Sequence, residues 1–241
     1  MDRRIETAAN VTSLDLFAIQ HLNAYAHVSY AFDQAVNVLA FNELFKAGPL
    51  LAMLWGLWFI RDDRTRWRRS GVFAAVIAGS LAAMVSVALT HLLPSRPRPL
   101  VEPSLDFVVP YGMNPPDWDR ISSLPSDHAA LFFGLAFGIW FVSRPWGVVA
   151  ILHTVFFICL PRAYLGMHYL TDLLAGGLIG LLFALLGQTA RFRELVCDRA
   201  LQVEAVSPGS FYAAMFLLCF EIGDLFHHSR VLWHLVKVAL S

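Results

Sequence analysis

GVFAAVIAGSLAAMVSVALTHLL, residues 71–93, contains no aspartate, glutamate, lysine or arginine. About 20 apolar residues suffice for a helix to cross the hydrocarbon core of a bilayer, so this run predicts a membrane span. Ala74, Ala78 and Ala82 recur every fourth residue and put a small-residue stripe on one helix face, where a neighbouring backbone can come close. Working outward, five more apolar segments follow the same logic, at residues 43–60 (with an alternative start near Val36), 127–143, 146–163, 169–188 and 209–227. Ser143-Arg144-Pro145 interrupts the third and fourth, which makes them a helical hairpin. Gly134 with Gly138, and Gly176 with Gly180, are further contact stripes. Residues 13–27 carry Leu14, Leu16, Phe17, Ile19, Leu22 and Tyr25 among polar neighbours, the pattern of an amphipathic helix lying in the interface. The expected fold is all-α: a polytopic six-transmembrane-helix bundle with an N-terminal interfacial helix, a single domain over residues 1–241.

Composition agrees. The chain is 57% hydrophobic and 15% charged, with a mean hydropathy of +0.58, whereas a soluble domain is roughly a quarter charged. The formal net charge is zero, so no global field draws nucleic acid to it. Cys159, Cys197 and Cys219 have neither metal-ligand nor disulfide-framework spacing; Cys159 and Cys219 sit in apolar runs and read as small core residues.

Arginines set the expected orientation. Residues 61–69 carry five of them; Arg144 lies between the third and fourth spans, and Arg191, Arg193 and Arg199 follow the fifth. With six spans all three loops share one face, the cytoplasmic one by the positive-inside rule. Both termini and the remaining loops then face outward.

Three polar clusters converge on that outer face. His91 to Pro99 leave the second span with Arg96 and Arg98. Leu124-Pro125-Ser126-Asp127-His128 opens the third span, and Ser and Asp there favour a helix N-terminus whose free N–H groups attract an anion. Arg162 to Asp172 place an arginine, His168 and Asp172 in an otherwise apolar stretch. His168 and Asp172 are four apart and share a helix face, so the carboxylate is expected to accept the Nδ1–H of the imidazole and leave Nε2 as nucleophile or acceptor. Guanidiniums, a hydroxyl, a helix N-terminus and two histidines together suit an anionic phosphate and its transfer. A divalent metal on His128, His168, Asp127 and Asp172 is the competing reading; the nearby arginines oppose it. His153 in the fourth span is read as an interhelical hydrogen bond. Glu221 and Asp224 either approach the site or pair at their helix end. Residues 100–124 form a rim or a plain connector.

These clusters resemble the type 2 phosphatidic acid phosphatase superfamily, whose pattern is Lys-x6-Arg-Pro, then Pro-Ser-Gly-His, then Ser-Arg-x5-His-x3-Asp. The chain matches it at Arg98-Pro99, at Pro125-Ser126-Asp127-His128 and at Arg162, His168 and Asp172, all within residues 91–172. It departs at three positions: His91 stands at the lysine position, Asp127 at the glycine and Pro161 at the serine. The resemblance implies a membrane lipid phosphatase without a cofactor or metal, in which His168 attacks phosphorus, Asp172 orients His168, and His128 protonates the leaving oxygen. Arg98, Arg162, Ser126, Asp127 and His91 are its implied phosphate-binding set. Pro-Ser-Asp-His resembles the family's bacterial prenyl diphosphate phosphatases, so the expected substrate is a polyprenyl diphosphate, at a bacterial inner membrane with the site facing the periplasm. Phosphatidic acid or phosphatidylglycerol phosphate hydrolysis, lipid phosphotransfer and non-catalytic lipid-phosphate binding or transport are the alternatives.

Overall fold

The computed structural model describes residues 11–113 and 122–240. Asp117, Trp118 and Asp119 of the expected rim lie outside the described residues. Among the described residues the following helices build the bundle. They are α1 (Ser13–Asn23), α2 (Tyr30–Phe41), α3 (Glu43–Lys46), α4 (Gly48–Phe59), α5 (Thr65–Leu92), α6 (Asp127–Val142), α7 (Arg144–Tyr164), α8 (Leu170–Gly187), α9 (Asp198–Val206), α10 (Pro208–Gly223) and α11 (His227–Leu240).

Among the described residues, α5, α7 and α8 are long and apolar enough to cross a membrane, while α4, α6 and α10 are apolar but shorter. These six coincide in order with the six apolar runs of the sequence. Ser143 ends α6 and begins α7, so the expected hairpin forms. The N-terminal helix is present but ends at Asn23, and it is no simple surface element: Asp15 in its first turn is fully buried. Helix α2, a separate helix containing Val36, packs against the end of α7.

The core is a close trio of α5, α6 and α8, with α7 folded back on α6. Glycines set its spacing. A Cβ on Gly134 would sit 2.8 Å from the Cα of Gly79, and one on Gly176 would sit 2.2 Å from the carbonyl oxygen of Ser126. Real side chains do not fit such gaps, so Gly134 lets α6 close on α5 and Gly176 holds the start of α8 against the start of α6. The two histidine-bearing turns are neighbours for that reason.

Pro161 finds its explanation in α7. A proline inside a helix loses an i→i−4 bond and crowds the carbonyl four residues back. Residues Thr154–Cys159 are wound as a π-helix directly ahead of it, and the wider turn makes room for the ring. Arg162, next in line, is thereby kept on a continuous helix and is 1% exposed.

Candidate active site

Three loops are laced together by their backbones at one end of the trio. The Ser123 N–H donates to the Arg96 carbonyl at 2.9 Å, the Ser126 N–H to the Asp172 carbonyl at 3.1 Å, and the Leu100 N–H to the Gly166 carbonyl at 3.0 Å. Gly166 has φ +69° and lies against Phe107, which a Cβ would meet at 2.6 Å. A turn this tight in the left-handed region suits glycine. It returns the chain so that Met167 N–H reaches the Arg162 carbonyl at 2.9 Å and Arg98 Nη1 donates to the Met167 carbonyl at 2.9 Å.

The loops frame a cavity of about 260 Å³ lined by Arg98, Asp127, His128, Arg162 and His168, together with Lys46 and Glu43 of α3 and Asp224, His227 and Arg230 around the α10–α11 junction. The core of the expected set is therefore brought together from segments far apart in sequence. Arg162 is almost fully enclosed; its Nη1 reaches only the Ile158 carbonyl, at 3.4 Å, and its Nε has no hydrogen-bond partner. A buried cation with unused donors beside a polar cavity is arranged for an anion that enters it.

His168 is held differently from the expectation. Its Nδ1 is 2.9 Å from the Ser123 carbonyl oxygen and 3.8 Å from Asp172 Oδ2. A carbonyl can only accept, so Nδ1 carries the proton and Nε2 is the unprotonated nitrogen. Asp172 acts on the ring as a nearby charge. Its oxygens are directly engaged elsewhere, Oδ2 by the Tyr169 N–H at 2.8 Å and Oδ1 by Arg96 Nη1 at 2.5 Å. Burial, the largest influence, pushes the imidazole of His168 below the usual histidine range, against the opposing pull of Asp172.

Asp127 also differs. Its Oδ1 lies 2.9 Å from His128 Nδ1, and Arg230 Nη1 approaches its Oδ2 at 4.0 Å. Asp127 lines the cavity, and the contact with His128 is one by which its carboxylate can orient the His128 ring. The Ser126 hydroxyl is fully buried, accepts from the Ala129 N–H at 3.3 Å as the N-cap of α6, and does not line the cavity. His91 sits in the exposed last turn of α5, away from the cavity lining. The sequence position of the family's lysine is thus not a cavity position in this chain.

A lysine is nevertheless there. Lys46 is 5% exposed, and no ion pair among the described residues includes it. Its carbonyl lies 3.2 Å from His153 Nε2, which is the interhelical bond expected of that histidine. The available signal was a lysine embedded in an apolar run, in a chain whose only other lysine is Lys237.

Arg96 was likewise passed over. It is buried between two carboxylates, with Nη2 2.8 Å from Asp15 Oδ2 and Nη1 on Asp172 Oδ1. Thr171 adds its N–H to Asp15 Oδ1 at 2.9 Å, and the Arg96 guanidinium stacks 3.9 Å from the centre of the Tyr169 ring. Burial alone would raise the Asp15 carboxyl; the bonds from Thr171, Arg96 and Thr12 outweigh it and hold it below the usual range. Asp224 lines the cavity and pairs with His228 at 3.2 Å, while Glu221 is 4.0 Å from His228. Residues of the 100–113 stretch do not line the cavity; they are pinned on the N-terminal helices, for example by Asn37 Nδ2 on the Gly112 carbonyl at 2.7 Å.

Comparison with known proteins fits this geometry. The chain is 32% identical over 149 residues to a protein of Escherichia coli (strain K12) named "Putative undecaprenyl-diphosphatase YbjG", covering 61% of this chain and 68% of that one. It is 29% identical over 122 residues to the bacitracin transport permease protein BcrC of Bacillus licheniformis, covering 51% of this chain and 56% of that one. No solved structure gives a significant match. The model of the PAP2 superfamily matches residues 71–194, half of the chain and every loop that meets at His168, so the chain belongs to the PAP2 superfamily and is a membrane hydrolase of phosphate esters or diphosphates.

Proposed function

We propose that the chain removes phosphate from a polyprenyl diphosphate through a phosphohistidine on His168. The observation that carries this reading is the His168 ring itself, with Nδ1 committed to the Ser123 carbonyl at 2.9 Å and the residue lining a cavity shared with His128, Arg98, Arg162 and Lys46. The substrate class is supported by the Pro125–His128 turn and by the name of the Escherichia coli relative.

The cations hold the phosphoryl oxygens and offset charge as it builds, which is most of what phosphoryl transfer requires of a protein. Nε2 of His168 bonds to phosphorus as the bond from phosphorus to the leaving oxygen breaks. His128, oriented by Asp127, gives that oxygen a proton. Water then attacks the phosphohistidine, its proton passes to His128, and the Nε2–phosphorus bond breaks to release inorganic phosphate. In the six-span arrangement the basic loops are cytoplasmic and the cavity opens on the other face, the periplasmic side of a bacterial inner membrane.

The test is a phosphate-release assay in detergent on a panel of prenyl diphosphates, phosphatidic acid and phosphatidylglycerol phosphate. Prenyl diphosphate is expected to give the highest kcat/KM, and His168→Ala is expected to abolish release from every substrate. A quenched reaction with labelled phosphate should trap acid-labile label on the wild-type protein and none on His168→Ala. Activity that survives in His168→Ala overturns the mechanism.

A further inference from the structure

A second cavity, of about 410 Å³, adjoins the polar one. It lies between α5 and the α10–α11 junction, with Met84, Val87 and Ala88 on one side and Leu225, Phe226 and Arg230 on the other. Leu225 and Arg230 line both cavities. Apart from Ser229 and Arg230 the walls are apolar, and the volume falls in the range of about 300–1,000 Å³ usual for ligand pockets. Leu225 and Phe226 hold the partition in an unusual backbone: both have positive φ, 52° and 59°. Neither is glycine, so the conformation costs energy that the surrounding packing must offset. It places Leu225, which is 5% exposed, at the wall common to the two spaces. Met84 is 60% exposed on a membrane-spanning helix, so the outer side of the groove faces the hydrocarbon region.

We infer that this groove between α5 and the Leu225–Phe226 turn binds the hydrocarbon chain of the same lipid whose phosphate enters the polar cavity. The inference rests on the phosphatase reading and adds to it where the chain runs. Continuity argues for the substrate's own chain over an unrelated lipid, because the shared residues bring an apolar space and a cationic one together at Arg230. A phosphorylated lipid has the matching division, a charged head at the end of an apolar tail. Arg230 sits at the boundary, where the polar head meets the first methylenes, and Val87 and Ala88 lie along the chain. The groove then holds the first part of the chain while the polar cavity performs the chemistry.

Two measurements test this. Val87→Trp and Ala88→Trp fill the groove without touching the polar cavity. Each is assayed with undecaprenyl diphosphate and with p-nitrophenyl phosphate, which has no chain. The expected result is a tenfold or greater rise in KM for the long substrate with p-nitrophenyl phosphate turnover within twofold of wild type. An unchanged KM for the long substrate, or equal losses on both, overturns the groove assignment. The second measurement needs no variant. Wild-type protein is photolysed with a prenyl diphosphate analogue carrying a diazirine on its tail. Label is expected on residues 84–88 or 225–226, and it should be displaced by unlabelled undecaprenyl diphosphate. Label elsewhere, or label there that unlabelled substrate does not displace, assigns the groove to bulk lipid and overturns the inference. Wild-type protein that releases no phosphate from any lipid fails the phosphatase reading itself, a result separate from either outcome.

Discussion

Lys46 and His91 stand in the reverse of the places that position in the chain suggests. His91 occupies the motif place and is exposed; Lys46, 45 residues upstream by number, is buried at the cavity. Lys46→Met is expected to lower kcat/KM roughly 100-fold, the scale of losing one transition-state donor, and His91→Ala to change it by less than about twofold. Steady-state phosphate release checks both. The motif could be recognised in the sequence, but the cation that completes the cavity could not, because it arrives from a separate helix and only folding places it there. Asp127 shows a different limit. Its neighbour His128 is adjacent in sequence, yet helix periodicity does not couple consecutive positions, and only the 2.9 Å contact reveals the pair. The pH response belongs at this scale too. As the proposed nucleophile His168 has to be neutral, and burial lowers its pKa below the ordinary value of about 6.5. Activity should therefore persist as pH falls through about 6.5 and decline only below it. A pH profile of kcat/KM with its acid limb at or above that value would contradict the assignment.

At the scale of elements, α1 does what its amphipathic pattern did not announce. It lies outside the matched family region, yet it delivers Asp15 to Arg96 and so braces Asp172. A lone aspartate on such a helix would ordinarily face water, and nothing in the local sequence distinguishes one that is buried. Removing the central cation leaves two enclosed carboxylates with only neutral donors, Thr12 and Thr171 on Asp15 and the Tyr169 N–H on Asp172, a loss of about 3–5 kcal/mol for buried pairs. Arg96→Met should accordingly lower the thermal midpoint far more than Asp15→Asn, which removes one charge and keeps the shape. Thermal unfolding of both variants in detergent tests the order. The helix contacts, by contrast, were readable in advance. Each glycine of the two stripes lies at a close helix contact, Gly134 with Gly79 and Gly180, Gly138 with Ala75 and Gly176 with Ser126, since close backbone approach depends on little beyond residue size.

For the whole molecule, the apolar runs give the bundle, and the arginine loops give an orientation that labelling can test. Ser95 is exposed beside the cavity-bearing loops, and Arg64 is exposed in the basic loop between α4 and α5. An impermeant thiol reagent added to intact cells should modify Ser95→Cys and should reach Arg64→Cys only after permeabilisation. Cys159 and Cys197 are buried, which limits background. The reverse pattern would place the cavity on the cytoplasmic side. Sequence periodicity could supply the number and order of apolar segments, but not the inward packing of α1 and α2, because that depends on buried polar contacts such as Asp33 accepting from the Tyr111 N–H at 2.9 Å.

The bond between His168 Nδ1 and the Ser123 carbonyl has a consequence for genetics. The atom that fixes the tautomer of the proposed nucleophile belongs to the main chain, and every amino acid at position 123 would supply it. The Ser123 hydroxyl itself is enclosed and unpartnered, so replacing it with a methyl removes nothing the ring uses. A scan of side chains would find His168 intolerant and its orienting neighbour silent. In this protein a mutational map would leave out one of the groups closest to the reaction.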